Sequence, residues 1–444
     1  MLSFKIYSDE LTDRLLVPFY QIQKITDKYT LTMEKVSEQI TNGIDIRTYK
    51  EEGTPYLRGV DIKRCQVNLL TSKKVEQNFN NVDNKIKLKE GDILITRKGT
   101  VGVTSIVSSD CKNVIIGTEI IKVRLKSDAK ITPEYLYTML NSKIGILQIY
   151  SKMTGTVSRG INHPSLKTIK IPTLQQEEMQ KIDLWVKEAK QKHTESLNYI
   201  EKALQVISDR FNKYKEKEAL YYKINFSTLS DSFTPKYYFP KYVKSIKNIK
   251  KDYKTLKLKD FVTKISKGEE IGSEIYKTYL DKSEDDVPFI RTSDLPNYEL
   301  DDYPDYYADL NVYDNLKQNL EAGDIILTKD GKIGLTAMVT DADKCILSSG
   351  LSIIKPNDKE SYSTYLFAIL SSFIGEYQAL QRTVVSSTLP HLNVERLGDI
   401  EIPLIEDDEM KKIKENVEKA FKLKAEKKLL IRKAKKLIET AILK

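Results

Sequence analysis

The sequence predicts an α+β protein: two pseudo-symmetric units of mixed α and β structure, separated by two long antiparallel helices that form a coiled coil. Three observations predict it. A seventeen-residue segment recurs late in the chain, shorter segments recur around it in the same order, and each unit is followed by apolar residues at helical spacing.

Residues 91–107, GDILITRKGTVGVTSIV, return at 323–339 as GDIILTKDGKIGLTAMV, with eight of seventeen positions identical. Unrelated segments would share about one. Around this pair, TPYLRGVDI (54–62) matches VPFIRTSDL (287–295), Tyr135-Leu136 matches Tyr365-Leu366, and Gly145 matches Gly375. Further on, Ile171-Pro172 matches Ile402-Pro403 and Glu178-Met179 matches Glu409-Met410. Partners lie 230 to 233 residues apart, so few insertions separate the copies and the chain is a duplication. The upstream pair, 31–43 and 256–268, lies 225 apart.

Within each unit, GDILIT and GDIILT read as short buried strands after a Gly-Asp turn. Gly99 and Gly102, like Gly331 and Gly334, punctuate a tight turn into the next strand. Residues 114–116 and 120–125 add strand runs, while 133–150 and 364–380 are apolar at helical spacing. The first long helix carries Met179, Ile182, Val186, Ala189, His193, Leu197, Ile200, Ala203, Ile207 and Phe211 at steps of three and four. The second carries Met410, Ile413, Val417, Ala420, Ile431, Ala434 and Ile438, interrupted by Lys424 and Lys427. Such a run is a helix with one sticky seam. At about 60 Å each, these helices outreach any one small domain, so the two seams pack on each other. The resulting division is 1–172, 173–225, 226–403 and 404–444.

With 444 residues, 40% hydrophobic and 30% charged, the chain has the composition of a folded globular protein. Its apolar runs fall short of the roughly 18 residues that span a bilayer. Cys65, Cys111 and Cys345 are odd in number and lack metal-ligand spacing, which fits a reducing cytoplasm and implies no metal. The net charge of +9 favours a polyanionic partner. It is unevenly spread. Residues 1–172 hold 27 bases and 18 acids, and residues 226–403 hold 22 and 28, with ten acids concentrated in 281–309.

Catalytic signatures are missing from the sequence. It has no G-x-x-x-x-G-K-[ST] phosphate loop, and its thirteen prolines never adjoin, which excludes the Pro-Pro-aromatic motif of a base-flipping amino-methyltransferase. Three histidines leave little room for triads or metal clusters. The expectation is a non-catalytic protein that needs no cofactor of its own.

Each unit thus contains [YF]-[IL]-R-x-x-D-[IL], then G-D-I-[LI]-[IL]-T-x-x-G-x-[VI]-G, then Ile-Pro and a Glu-Met-x-x-Ile helix. In this order, twice over, the chain resembles the specificity (S) subunit of type I restriction–modification enzymes along nearly its whole length. The resemblance implies two target-recognition domains, each reading half of a split double-stranded DNA site. It also implies two DNA-methyltransferase subunits docked on the helices and restriction subunits joined through them. S-adenosylmethionine, ATP and magnesium would sit on those partners.

Candidate DNA contacts follow from residue type and place. Arg58 and Arg291 are repeat equivalents that could grip guanine or phosphate, or simply pair with Asp61 and Asp294 three residues on. Arg97, Lys98, Lys329 and Lys332 flank the glycine turns, where backbone can approach phosphate; plain solvation of the turn is the competing account. The loop 154–163 offers Thr156, Ser158, Arg159 and His163, and its counterpart 386–393 offers Ser387 and His391. Arg159 aligns with Pro390, so the halves would read different bases. Two other functions stay open: a coiled-coil adaptor that binds proteins, and the specificity half of a type II restriction–modification system.

Overall fold

A computed structural model describes residues 17–155, 159–386 except 218, 220, 226, 228 and 230–233, and 389–443. The first domain begins with helices α1 (Val17–Thr26) and α2 (Met33–Val36) and strands β1 (Ser37–Asn42), β2 (Thr54–Leu57), β3 (Ile62–Lys63), β4 (Gln66–Val67) and β5 (Lys73–Val75). Strands β6 (Ile93–Thr96), β7 (Thr104–Ile106), β8 (Ile115–Ile116) and β9 (Ile120–Leu125) follow, then helices α3 (Pro133–Leu140), α4 (Lys143–Ser151) and α5 (His163–Lys167). The long helix α6 (Gln176–Phe211) leads, through α7 (Pro240–Asp252), to the second domain.

There, β10 (Thr255–Lys257), β11 (Val262–Lys267), β12 (Lys277–Thr278), β13 (Val287–Ile290) and β14 (Tyr306–Ala308) precede α8 (Leu310–Leu316). Strands β15 (Ile325–Thr328), β16 (Thr336–Met338), β17 (Ile346–Leu347) and β18 (Leu351–Pro356) are followed by α9 (Lys359–Ser371) and α10 (Phe373–Gln381). The hairpin β19 (Thr383–Ser386) and β20 (Leu389–Leu392), α11 (Val394–Leu397) and β21 (Glu401–Pro403) complete the domain before the second long helix, α12 (Asp407–Leu443).

The duplication is visible strand by strand. One sheet of the first domain runs β1-β9-β6-β7, and its counterpart runs β11-β18-β15-β16. Ile93 pairs with Val123 as Ile325 pairs with Ile354, so the register is kept as well. A second sheet joins β2 to β8 in parallel, as β13 joins β17. The apolar stretch predicted at 133–150 is two helices rather than one. Ser142 caps α4 by accepting the Gly145 N–H at 3.3 Å, and a side chain at Gly145 would meet the Met139 carbonyl at 2.2 Å. Ser372 breaks α9 from α10 in the same way, and Gly375 fits as closely against Leu370.

Helices α6 and α12 lie antiparallel. Arg210, at the end of α6, donates to Glu409 at the start of α12 at 3.0 Å, and Lys192 near mid-helix reaches Glu426 at 2.7 Å. The seams do pack on each other, and each half is also absorbed into a domain. Ile182, Val186 and Ala189 join Ile431, Ala434 and Ile438 in the core of the first domain. Ile200, Ala203, Ile207 and Phe211 join Ile413, Val417 and Ala420 in the core of the second. Each buried isoleucine, valine or phenylalanine among them contributes roughly 1.5–3 kcal/mol by leaving water. The helix pair is therefore clamped by one domain at each end, around a rough two-fold axis through its middle.

That middle is polar. His193 corresponds to Lys424, and Ser196 to Lys427, by the same 231-residue offset that relates Met179 to Met410. All four are buried. Burial, with Lys427 and Lys424 nearby, holds His193 neutral by lowering its pKa well below the usual value. The lysines that interrupt the apolar seam point at the acidic stretch of the second domain. Lys427 bonds Glu299, Lys424 donates to the Asn297 carbonyl at 2.8 Å, and Lys428 reaches Asp343 at 2.5 Å. Arg432 grips Asp302 through two bonds of 2.7 Å. Asp286 and Asp309 share Lys277, Asp294 holds Lys63, and Asp305 holds Arg291. Six of the ten acids of 281–309 are thus paired inside the molecule, while Asp281, Glu284 and Asp285 stay exposed.

Tyr221, in the connection between α6 and α7, is 86% exposed. No helix among the described residues is long and apolar enough to cross a membrane.

Candidate nucleic-acid interface

In each domain three segments separated in sequence come together at the glycine turn. The turn is built by the threonine that ends the buried strand. Thr96 Oγ1 donates to the Thr100 carbonyl at 2.5 Å and accepts the Val103 N–H at 2.9 Å. Thr328 does the same with Lys332 and Leu335, at the same two distances. Gly99 and Gly331 adopt φ of +71° and +69°, and a Cβ on either would meet nothing within 4 Å. These glycines serve the left-handed backbone and leave the turn open to solvent.

Beside the first turn lies the loop after α4. The Arg97 carbonyl accepts the Ile161 N–H at 3.1 Å, and Thr154 and Gly160 bond each other across the loop. The Arg-x-x-Asp turn adjoins from the other side, where Gly59 N–H donates to Glu119 at 3.3 Å and Arg97 N–H donates to the Glu119 carbonyl at 2.8 Å. In the second domain the Lys329 carbonyl accepts Leu392 N–H at 2.8 Å, and Gly331 N–H donates to Pro390 at 3.2 Å. Lys329 N–H donates to Gly350, whose Cα packs near Thr292. Pairwise repetition of these contacts makes two equivalent sites.

The predicted residues differ in how free they are. Arg58 is committed to Asp61 through its Nε at 3.2 Å and its Nη2 at 3.3 Å, yet keeps 29% of its side chain exposed. Arg291 lies over the Tyr306 ring, 4.3 Å from its centroid, bonds Asp305 at 3.2 Å, and stands 3.7 Å from Asp294. The salt-bridge account is therefore realised for Arg58, while Arg291 has a second carboxylate that the spacing did not indicate. Arg97 is half-buried, with its Nε lacking a hydrogen-bond partner among the described residues, and Lys98 and Arg159 are exposed. Lys329 is buried against Asp330 at 3.1 Å, whereas Lys332 is exposed. Partial desolvation lowers the Lys332 pKa, and it feels Asp61, Lys73 and Arg58 of the first domain.

His163 bonds Asn42 at 2.6 Å, and burial, with Arg97 and Lys167 nearby, lowers its pKa. His391 is half-exposed and tied to Asp330 at 2.5 Å. Thr156, Ser158 and Ser387 lie outside the described residues. Sequence reasoning missed Glu119, Asn42 and Asp330, which hold the turns and histidines in place. Glu119 and Asn42 are recruited from elements distant in sequence, whereas Asp330 lies in the recurring segment but has no acidic counterpart in the first copy, where Lys98 stands. Among the described residues no group of three histidines, cysteines or acids could hold a metal.

Two copies of one mixed α/β scaffold, set about a helix pair, define the class. Residues 36–186 and 250–433 both match the family model of the type I restriction modification DNA specificity domain. The chain belongs to that family and carries its domain twice, as a DNA-recognition subunit in a family of non-catalytic specificity subunits. Among solved structures it is similar to the type I restriction–modification S subunit from M. genitalium, at 13% identity over 93% of this chain and 94% of that one, with a TM-score of 0.33. It is also similar to a chain from work on complex assembly and conformational transition of the type I R-M system (16%, 91% and 96%, TM-score 0.29). The HsdS subunit from Thermoanaerobacter tengcongensis matches at 14%, 93% and 95%, with a TM-score of 0.28. No curated protein matches the sequence significantly.

Proposed function

We propose that this chain reads a split DNA target, one recognition domain to each half, and holds methyltransferase and restriction subunits in register with it. The observation that carries this reading is the assembly, in each domain, of an open glycine turn, an Arg-x-x-Asp turn and a polar loop at one place. Exposed Lys98 and Lys332 supply sequence-independent phosphate contact, as does the free edge of Arg58. Base reading falls to loops 154–163 and 386–393, which differ between the domains and so would read unlike half-sites. Methyl transfer and cleavage would occur on the partners, which would bring S-adenosylmethionine, ATP and magnesium. The place of action would be the cytoplasm, where the DNA is. A protein-binding adaptor, which an acidic second domain would favour, fits less well, because much of the acidic stretch is paired internally.

The test is selection of duplexes from a random library by the full chain. Two short blocks separated by an unread gap are expected, and His391→Ala should alter one block only, each lost base contact costing about 1–3 kcal/mol. A single continuous block, or no enrichment, would refute the split-target reading.

A further inference from the structure

The two recognition domains touch each other directly at an apolar patch, where Ile146 of α4 packs on Tyr279 and Tyr307, and at a buried polar contact made by one short segment of each. On the first it is the β3–β4 hairpin, and on the second the turn 294–299, which is the same segment of the repeat. Lys63 Nζ lies 3.2 Å from Asp294, with 14% and 1% of the two side chains exposed. Gln66 donates its amide to Glu299 and accepts from Asn297 Nδ2 at 2.7 Å. The same Asn297 amide reaches the Val67 carbonyl at 2.8 Å, and Asn297 N–H donates to Asn68 at 3.3 Å. Gln66 and Glu299 are repeat equivalents, so their bond lies on the pseudo-two-fold axis. Lys427 and Lys424 of α12 close the contact from behind through Glu299 and the Asn297 carbonyl.

Two features separate this contact from ordinary packing. Asn297 has φ of +47°, a left-handed conformation that costs energy in any residue but glycine and persists where the surroundings over-determine it. The contact is also polar and buried. Apolar surfaces slide with little penalty, whereas a buried hydrogen bond is lost once its atoms separate beyond about 3.5 Å. Movement of one domain past the other by even an ångström or two breaks the bonds of Gln66 to Glu299 and Asn297 and that of Asn297 to Val67. The helix pair alone is a looser ruler, because long helices bend.

We propose that this contact is a spacing lock: it fixes the separation and rotation of the two recognition domains, and with them the number of base pairs accepted between the half-sites. The inference rests on the split-target reading. One extra base pair displaces a half-site by about 3.4 Å and turns it by about a tenth of a revolution. A bound domain can follow that displacement only by breaking the Gln66–Asn297–Glu299 set.

The test uses the full chain and the duplex selected above, remade with the gap lengthened or shortened by one base pair. The wild type should discriminate sharply between gaps. Gln66→Ala removes the bonds to Glu299 and Asn297, and Asn297→Gly removes the side-chain bonds to Gln66 and Val67; neither buries a new charge, and glycine accepts the Asn297 backbone. Both variants should lose at least about fivefold of the gap discrimination while keeping the base preference in each block. Unchanged gap discrimination in Asn297→Gly, with the fold intact by circular dichroism, would overturn the spacing lock and leave the split target standing. Failure of the wild type to select two blocks would overturn both.

Discussion

Glu299 is almost completely buried, which by itself would raise its pKa; Lys427, Lys424 and Lys428 outweigh that and hold it well below the carboxylate range. The cluster is balanced only as a set, because burial in turn lowers Lys424 to about 8. Removing one member is therefore worse than lacking the set, since the lysines are left buried and uncompensated. Glu299→Gln should cost about 3–5 kcal/mol, read as a lower midpoint in denaturant. The pH dependence follows from the direction of the shift. A carboxylate with a depressed folded pKa contributes stability above its unfolded pKa of about 4.3, and that contribution disappears as pH falls toward the folded value. The wild type should therefore lose stability steadily below about pH 4.5, and Glu299→Gln should show a shallower acid slope. Parallel acid slopes would assign the effect to other carboxylates.

At the scale of elements, the two halves of each long helix belong to different domains. Ile200 and Ile207 are 1% exposed and lie in the second domain's core, while Ile182 and Val186 of the same helix serve the first. Ile200→Asp combined with Ile207→Asp buries two charges without partners and should remove the second domain's stability altogether. Hydrogen exchange should then show protection lost in β15, β18 and α9 and retained in β6, β9 and α3. Loss of protection in both domains would mean that the helix pair joins them into one cooperative unit.

For the whole molecule, net charge by segment points to unequal DNA contact, with the basic first domain carrying most of the salt dependence. Pairing of Glu299 and Asp302 with α12, and of Asp294 with Lys63, weakens the basis for that inequality. Lys98→Ala and Lys332→Ala should each flatten the log–log salt dependence of DNA binding by about 0.9, one phosphate contact apiece. Lys329→Ala should change it less, since Lys329 is buried against Asp330. A slope lost only with Lys98→Ala would return the charge asymmetry to the DNA-facing surface.

Duplication, two mixed domains and a long helix after each were legible in the sequence. They depend on local pattern: apolar period, glycine punctuation and the recurrence of GDI-x-x-T need no knowledge of distant contacts. The same holds for the glycine turns as candidate contacts, because the threonine that builds each turn lies within the recurring motif. Where each charge went was decided only by tertiary structure. Lys424 and Lys427 read as interruptions of a seam, yet they are the partners of Glu299 and the backbone of Asn297, more than a hundred residues earlier in the chain. Arg291 pairs with Asp305 as well as Asp294, and Lys63 crosses between domains to Asp294. A charge repels or attracts whatever folding brings within a few ångströms, and nothing in local spacing encodes that. The meeting of the two repeat segments at Gln66 and Glu299 has the same origin: the duplication makes a two-fold axis available, and the packing of both domains on one helix pair decides what lies on it.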